Sequence, residues 1–247
     1  IHEKSPILIK IQKEKLINIK IKWISNINNI KKKPCIFIAN EFFDAMAVKQ
    51  FKKYGNLWFE KFVNLKDTNN PFFTEKKVNI KDIEKKIRYK ISHGQNFIEF
   101  SELGFEYLKN ISQIIKENSG GLLLIDYGYT KKNMKNTLQA VSNHKFANIL
   151  KNIGNSDITH SINFDLFKKF TNQIGGLDNN LTTQKKFLLN MGIEKRAEVI
   201  TKKLNFLNKA DIYYRLKRLI DEKQMGDLFK VMLLKNKKNK FNLGFKS

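Results

Sequence analysis

The sequence predicts an α/β fold built on a parallel sheet with buried strands. Two apolar runs indicate it: residues 35–39, which stop at Asn40 and Glu41, and residues 121–125, which stop at Asp126. Short apolar runs bounded by Pro or Gly and by polar residues are typical of strands buried in parallel sheets. Ligands bind beyond the carboxyl ends of such strands, so the polar residues after both runs mark the predicted site.

The length suits one large domain or two small ones, and the composition argues against membrane-spanning and disulfide-linked proteins. The chain has 247 residues, of which 41% are hydrophobic, a share sufficient for a core. It has no run of 18 apolar residues, so we expect no transmembrane helix. The single cysteine, Cys35, cannot form a disulfide within the chain and is expected to be a small core residue.

The formal net charge of +24 suggests nucleic acid or an acidic membrane surface as a partner. The lysines are spread along the whole chain together with abundant Asn and Ile, which favours a general compositional bias over a binding face. The densest basic runs, residues 31–33 and 235–240, are predicted to be solvated loops. Aromatic residues do not alternate with basic ones as they do in single-strand binders, so nucleic acid is the less favoured partner.

The first 120 residues are predicted to contain helices, a half-solvated strand, a buried strand and a hairpin. In chain order, the regular elements are expected at residues 5–16, 17–23, 35–39, 50–53 paired with 57–63, 80–89 and 101–116. Ser5 and Ser101 are the expected N-caps of the first and last helices. Less regular segments are expected at residues 24–33, 44–48 (a short helix or turn), 64–79 and 98–100 (extended).

The second half of the chain begins with the buried strand at residues 121–126. The polar segment 127–160 is expected to be a long loop over the site, because long loops in compact domains are usually functional. Helices are predicted after it at residues 163–173, 183–190, 193–205 and 209–220, and a last strand at residues 227–235.

Asn40, Glu41 and Asp44 form a polar cluster at the end of the first buried strand. Two carboxylates three positions apart on a first helical turn lie on one side, and the positive helix end keeps them ionised. Such a pair suits a guanidinium group, whose donors take bidentate partners. Helix capping is the alternative, but it would account for Asn40 or Asp44 and not for the whole cluster.

Asp126, Tyr127 and Tyr129 follow the second buried strand. An aromatic face beside a cation is stabilising by roughly 0.5–2 kcal/mol, so the tyrosines could bind a sulfonium or a guanidinium. Packing beneath the long loop is the alternative. The four histidines, at positions 2, 93, 144 and 160, have no metal-ligand spacing, and we expect no metal site.

These stretches resemble the MidA family, also described as the complex I assembly arginine methyltransferases. The resemblance rests on seven motifs in the family's order, at residues 40–45 with 48–51, 58–60, 124–129, 137–140, 157–159 with 163–164, 183–184 with 187–188, and 225–231. Val48 and Lys61 are mild departures from the family, and the motif around residue 160 is a larger one, because the family tends to show Thr-Ala-His-Val-Asp-Phe there. Here His160 is shifted by one position and Asn163 replaces the Asp.

The resemblance implies a class I methyltransferase with a Rossmann-like sheet and a helical C-terminal region. It implies S-adenosylmethionine as cofactor, an arginine of a protein partner as substrate, and support of respiratory complex I assembly. Glu3, after the end of the family's second strand, would accept hydrogen bonds from the ribose hydroxyls. The expected site comprises catalytic Glu41, Asp44 and Asp126, cofactor-binding Glu3 and Asn40, and substrate-binding Tyr127 and Tyr129.

The family's Gly-x-Gly-x-Gly loop has no counterpart in this sequence, which starts at Ile1. We therefore expect one methyltransferase domain over residues 1–247 that lacks the first strand and the glycine loop, with insertions at about 50–97 and 127–182. The strand at 35–39 is then expected to pair only with 121–126, with a gap between it and 17–23. Poor solubility should follow, because an open apolar edge is a template for aggregation.

Two alternative functions differ in class from an enzyme. One is a non-catalytic assembly protein that keeps the methyltransferase fold, and the other is a basic nucleic-acid-binding protein. A homodimer is left open. The expected location is the cytoplasm in a bacterium or the mitochondrial matrix in a eukaryote.

Overall fold

The computed structural model describes residues 1–30, 33–66, 70–143, 145–151 and 153–245. Lys31 and Lys32 of the first basic run, and His144, lie outside the described residues. The strands are β1 (Cys35–Asn40), β2 (Lys49–Tyr54), β3 (Leu57–Leu65), β4 (Pro71–Val78), β5 (Phe97–Phe100), β6 (Gly120–Tyr129), β7 (Gln139–Ser142), β8 (Lys145–Ala147), β9 (Asp157–Thr159), β10 (Ile162–Asn163), β11 (Leu177–Thr183) and β12 (Phe229–Asn236). The helices are α1 (Pro6–Lys15), α2 (Ile80–Ile87), α3 (Glu102–Asn118), α4 (Phe164–Ile174), α5 (Gln184–Asn190), α6 (Ile193–Thr201), α7 (Phe206–Ile220) and α8 (Met225–Leu228).

The central sheet has the strand order β1-β6-β12-β11, with β10 paired to the far end of β6. β1 and β6 are parallel, whereas β12 is antiparallel to both β6 and β11, so the sheet is mixed. Gly120 starts β6 with a φ of +104°, and a Cβ at this position would lie 1.9 Å from the carbonyl oxygen of Cys35. Only glycine therefore allows β6 to begin this close to β1.

Helix α3 covers one face of the central sheet. Its side chains Leu108 and Ile115 are fully buried and belong to the same core as Leu122 and Leu234 of the sheet. Ser101 caps the helix, because its Oγ accepts a hydrogen bond from the Gly104 N–H at 3.0 Å. The caps expected at Ser5 and Ser101 are both confirmed.

The opposite face is only partly covered. Ile36 and Ile38 of β1 are 82% and 73% exposed. They line an apolar cleft together with Phe187 of α5 and with Phe241 from the C-terminal segment. The prediction that β1 is buried on both faces is therefore wrong, because nothing among the described residues packs over its outer face.

Two smaller antiparallel sheets flank the central one. Strands β4-β3-β2-β5 form the first, and β8-β7-β9 form the second. The expected irregular segment 64–79 is wrong in part, because residues 71–78 pair with β3 along their whole length. The expected long loop 127–160 is also wrong in part, since it contains β7, β8 and β9.

The strand predicted at residues 17–23 does not form. Alternation of apolar and polar residues provides one apolar face, but a strand also needs a neighbour for its backbone hydrogen bonds. Near this segment, His2 and Ile24 form an isolated bridge, and the Ile1 ammonium donates to the carbonyl of Lys22 at 2.8 Å, but these contacts do not extend into a ladder. Ile17 and Ile19 are 79% and 59% exposed. As predicted, β1 pairs with β6 and has no ladder with residues 17–23.

The bounds of the remaining helices agree with the predicted bounds to within a few residues. The sequence did not predict the strand β11. Asp178, Asn179 and Asn180 occupy its middle, and these residue types are depleted in strands. No helix among the described residues has both the length and the apolar character needed to cross a membrane.

Candidate functional site

The site lies where the parallel strands β1 and β6 end at the same edge of the central sheet. The Glu41 N–H donates to the carbonyl of Ile125 at 2.9 Å, which extends the ladder by one residue. Glu41 then adopts a φ of +45°, a conformation that is uncommon for a residue with a Cβ. This kink turns the chain so that Phe43 enters the core, where it is 1% exposed and packs edge-to-face on Phe167.

Asp126 holds the chain that follows this kink. Its Oδ2 accepts hydrogen bonds from the backbone N–H groups of Phe43 (3.1 Å) and Asp44 (3.3 Å), and its Oδ1 accepts from Tyr127 (2.9 Å). The side chain is completely buried. Burial, followed by the charge of Asp44, raises the pKa of Asp126 to about 8 although the three N–H donors lower it. This geometry favours a role in positioning the loop, and direct catalysis by Asp126 stays a prediction.

Asp44 contributes a buried carboxylate beside Asp126. The residue is 4% exposed, and its Oδ1 has no hydrogen-bond partner among the described residues. The hydroxyl of Tyr127 lies near this carboxylate: burial raises the pKa of Tyr127 above its ordinary value of 10, and Asp44 adds to the rise. A buried acceptor without a donor costs free energy, so Asp44 is suited to a cationic or donating ligand.

His160 fixes the same loop from the opposite side. Its backbone N–H donates to the carbonyl of Asp44 at 3.1 Å, and its Nε2 lies 3.1 Å from the carbonyl of Phe43. Because a carbonyl oxygen only accepts, Nε2 carries the proton. The ring is 5% exposed, and burial lowers its pKa. His160 is therefore neutral at physiological pH. Its two hydrogen bonds hold the backbone of Phe43 and Asp44 in place.

A third buried carboxylate, Glu99 of β5, supports the segment that contains His160. Glu99 accepts from the Nε2 of Gln50 at 2.6 Å, from the N–H of Thr137 at 3.0 Å and from the Thr137 hydroxyl. The Oγ1 of Thr137 in turn accepts from the Ser161 N–H at 2.8 Å. Buried hydrogen bonds thus connect β5 to the residue next to His160.

Strand β10 packs closely against the end of β6, at Gly128. A Cβ on Gly128 would lie 2.2 Å from the carbonyl oxygen of Ile162 and 2.8 Å from the ring of Phe164. The neighbouring Tyr129 is half-buried, with the Nζ of Lys135 5.2 Å from its ring centroid. Burial raises the pKa of Tyr129. The ammonium group of Lys135 therefore already occupies one face of Tyr129, and binding of a sulfonium or guanidinium by this ring stays a prediction.

Glu3 lies near the edge of the central sheet at which β1 and β6 end. His2, its neighbour, packs on Phe42 with ring centroids 6.3 Å apart and hydrogen-bonds to the Tyr107 hydroxyl at 2.9 Å. The Oε1 of Glu3 accepts from the N–H groups of Lys4 (2.8 Å) and Ser5 (2.9 Å). These bonds, first that from Ser5, lower the pKa of Glu3.

The predicted residues thus fall into three groups. Asp44, Asp126 and Tyr127 are brought together in a buried cluster. Asn40 and Glu41 are exposed at its edge, joined by a hydrogen bond of 3.4 Å between Nδ2 and Oε1. Glu3 and Tyr129 lie at separate positions around the cluster. Among the described residues, no group of three or more His, Cys, Asp or Glu side chains is arranged to hold a metal ion.

The sequence did not predict that Glu99, Thr137 and His160 hold the backbone around the site. A usable signal existed for Glu99, because it is a single carboxylate within the apolar stretch 97–100. Carboxylates are almost never fully buried unless they are paired or hydrogen-bonded. The motif comparison shows only that His160 is displaced by one position from the family's histidine. Sequence alone does not show which backbone carbonyl its ring reaches.

The fold and this site define a methyltransferase-like α/β protein. Residues 1–182 match the family described as "Putative S-adenosyl-L-methionine-dependent methyltransferase". The match covers more than half of the chain, and the chain belongs to this family. The resemblance seen in the sequence motifs is thereby confirmed.

Several curated proteins are similar to the chain. The mitochondrial protein arginine methyltransferase NDUFAF7 of Danio rerio is 25% identical over 236 residues, which cover 87% of the chain and 51% of that protein. Its Caenorhabditis elegans homologue is 29% identical over 192 residues (72% and 42%), and the human protein is 26% identical over 223 residues (87% and 48%). The chain therefore spans about half the length of the curated relatives it matches.

Two solved structures from Burkholderia thailandensis share the fold. One, an uncharacterized protein, superposes with a TM-score of 0.79 at 21% identity and covers 100% of this chain and 68% of its own. The other, bound to S-adenosyl-homocysteine, gives a TM-score of 0.76 at 20% identity, with coverages of 100% and 64%. The expected methyltransferase-like α/β fold is confirmed, with a central sheet that is mixed.

Proposed function

We propose that this chain is part of an S-adenosylmethionine-dependent methyltransferase that acts on an arginine side chain of a protein partner. Family membership supports methyl transfer, and the names of the curated relatives support arginine as the acceptor. The observation on which the proposal depends most is the buried oxygen of Asp44, shortly after β1, which has no hydrogen-bond partner in the described part of the chain.

Asp44 suits a guanidinium for physical reasons. A guanidinium is cationic and presents several N–H donors in a plane, and a carboxylate can hold it and orient one nitrogen. The backbone of Asp44, which carries this carboxylate, is held at both its polar groups, because its N–H donates to Asp126 and its carbonyl accepts from His160. Fixed groups cost little to reorganise when charge moves during a reaction. Glu41, exposed three positions earlier in the chain, would contact the same side chain as the substrate approaches.

The described residues fit part of S-adenosylmethionine. The Oε2 of Glu3 has one partner in the structure, Gln12 at a long 3.4 Å, and can accept a ribose hydroxyl. Asn40 is exposed on the same edge and would contact the cofactor. S-adenosylmethionine supplies a methyl group on a positively charged sulfur, and a nearby carboxylate stabilises that charge. Asp126 and His160 would act as positioning residues, and Tyr127 and Tyr129 would line the acceptor side.

Methyl transfer to protein arginine by the complete gene product tests this proposal. Asp44→Asn keeps the shape of the side chain but removes its charge, and it should lower the rate of labelled methyl transfer by roughly a hundredfold. The affinity for S-adenosylmethionine should change much less. Asp157→Asn, at an exposed position on β9, is the matched control and should retain the parental rate. An Asp44→Asn protein with parental activity would exclude the role proposed for this carboxylate.

The relatives' names also bear on partners and location. The curated relatives are named as mitochondrial proteins, which supports a mitochondrial location for a eukaryotic protein. The matrix as its compartment and the support of complex I assembly are part of the proposal and rest on the resemblance of the sequence motifs. A bacterial protein of this type would act in the cytoplasm. We further propose that residues 1–247 form one methyltransferase domain, with insertions at about 50–97 and 127–182. A non-catalytic assembly protein with the same fold would bind the partner but transfer no methyl group.

A further inference from the structure

The helix α7 has an apolar stripe on each of two sides. On its inner side, Ile212, Leu216 and Leu219 are half-buried where the helix packs against the neighbouring helices. The stripe on its other side, called here the outer face, comprises Phe206, Leu207, Ala210, Tyr213 and Tyr214. Their spacing is that of one side of a helix.

The outer face is open to solvent. Phe206 is 82% exposed, Leu207 76%, Tyr214 72% and Tyr213 45%. None of the residues of α7 is fully buried among the described part of the chain. A helix that is apolar on both sides usually has a partner on both. The segment also lies outside residues 1–182, so the family match assigns it no role.

The charges around the outer face are mostly positive. Residues 193–220, which form α6, its connection and α7, contain eight Lys or Arg residues and three Asp or Glu residues. Two of the acids are already paired, Glu198 with Lys195 at 2.7 Å and Asp211 with Arg215 at 2.9 Å. The exposed Lys202 and Lys203 lie in the connection that leads directly into Phe206. Neither has an ion pair among the described residues.

We propose that the outer face of α7 docks on an anionic phospholipid surface. Phenylalanine and leucine enter the boundary between head groups and acyl chains, tyrosines lie at that boundary, and lysines reach phosphate groups. Phe206 and Leu207 project from the first turn of the helix, which suits insertion into a soft surface. This proposal does not depend on the proposed methyltransferase activity.

The charge argues against a second copy of the chain as the occupant. Two outer faces brought together would place the unpaired lysines of one copy against those of the other, and like charges repel. An anionic surface is complementary instead. A membrane also presents negative charge on every side of the docked helix, which matches lysines at its start (Lys202, Lys203) and basic residues at its end (Lys217, Arg218).

Flotation of the 247-residue chain with vesicles tests the proposal. We expect the chain to bind vesicles that contain phosphatidylserine at least ten times more tightly than vesicles of phosphatidylcholine alone, with weaker binding at high salt. Lys202→Gln with Lys203→Gln should weaken binding about thirtyfold, since each lysine near an anionic surface contributes about a factor of five. The matched pair, Lys237→Gln with Lys238→Gln, is also exposed and should change binding by less than about fivefold.

The apolar contribution needs its own variant. Phe206→Ser with Leu207→Ser should weaken binding to the anionic vesicles at least tenfold, because most of the inserted apolar surface is lost. Phe146→Ser, at a position on β8 with the same 82% exposure, should leave it unchanged. Circular dichroism and melting temperature show whether each variant is folded.

Other outcomes would overturn the proposal. If both double lysine variants weaken vesicle binding equally, the attraction to anionic vesicles comes from the whole charged surface and not from the outer face. A concentration-dependent dimer in sedimentation, abolished by Phe206→Ser with Leu207→Ser, would make a second copy the occupant. Binding to poly-L-glutamate that needs Phe206 and Leu207, without binding to vesicles, would indicate an acidic protein.

Discussion

The carboxylate of Asp126 accepts a hydrogen bond from the backbone N–H of Asp44 at 3.3 Å, although the two residues are 82 positions apart. One acidic side chain thereby fixes the backbone that presents another. Both are buried, and the charge of Asp44 disfavours a charge on Asp126, so a proton on Asp126 or a nearby cation reduces the repulsion between the two side chains. A cationic substrate or cofactor would do so, which makes this arrangement more informative about function than either residue alone.

The raised pKa of Asp126 predicts a specific dependence of stability on pH. Folding raises the pKa from an ordinary value of 3.8 to about 8, so between these values the folded state binds more protons than the unfolded state. The free energy of unfolding from this group should therefore fall as pH rises, and the contribution is lost above about 8. The slope should reach at most about 1.4 kcal/mol per pH unit.

Asp126→Asn isolates this effect, because it keeps the shape of the side chain and cannot ionise. Relative to the parent, the variant should become steadily more stable from about pH 5 to about pH 8 in urea unfolding experiments. Asp157→Asn on the surface provides the comparison for general charge effects. Parallel stability curves for the parent and Asp126→Asn would show that Asp126 does not take up a proton on folding.

Glu99 should stabilise the segment that contains Thr137. Replacing it by Gln puts an amide N–H₂ group where several donors now converge, so the change should cost about 1.5–3 kcal/mol of unfolding free energy. Amide hydrogen exchange at residues 134–138 should also become faster. Glu117→Gln, at an exposed position of α3 whose side chain accepts from Gln113, should do neither. Unchanged exchange at residues 134–138 would separate Glu99 from the positioning of this segment.

Glu3 should contribute to cofactor affinity in the complete gene product. Glu3→Ala removes a charged acceptor and should cost about 1.5–3 kcal/mol of binding free energy for S-adenosylmethionine, measured by calorimetry. Glu3 also holds the start of α1, so Ser5→Ala is the control: it removes the cap on the Leu8 N–H and leaves Glu3 in place. If both variants lose affinity equally, the effect comes from the helix and not from a ribose contact.

The parts of the fold predicted correctly are those set by local pattern. Ser101 caps α3, and the apolar runs before Asn40 and Asp126 became paired strands. The predictions were wrong where the pairing of one strand with another, and not local propensity, determines whether a segment is a strand. Residues 17–23 alternate but lack a partner, whereas β11 contains Asp178, Asn179 and Asn180 and is a strand because β12 pairs with it. Local propensity is weaker than a complete ladder of backbone hydrogen bonds.

The candidate site was predictable to a similar degree. The clustering of Asp44 with Asp126 follows from two strand ends at one edge of a sheet. The sequence could not show that Asp126 uses its oxygens on backbone N–H groups, or that His160 reaches the carbonyl of Phe43. Those contacts join positions more than 80 residues apart, and they depend on how the chain turns at Glu41.

The last prediction concerns the outer edge of β1. As predicted from the sequence, β1 pairs with another strand on one side and not on the other. Among the described residues, β6 is its sole partner, and Ile36 is 82% exposed. An unpaired apolar edge allows strands of other copies to add, and a lysine on an edge blocks such addition. Ile36→Lys in the 247-residue chain should therefore lower light scattering and raise the soluble fraction, with the unfolding midpoint nearly unchanged. Ile153→Lys, at a 63% exposed position outside the strands, adds the same charge without touching the edge. Equal gains from both variants would mean that net charge limits solubility, and continued aggregation of Ile36→Lys alone would show that chains associate through another surface.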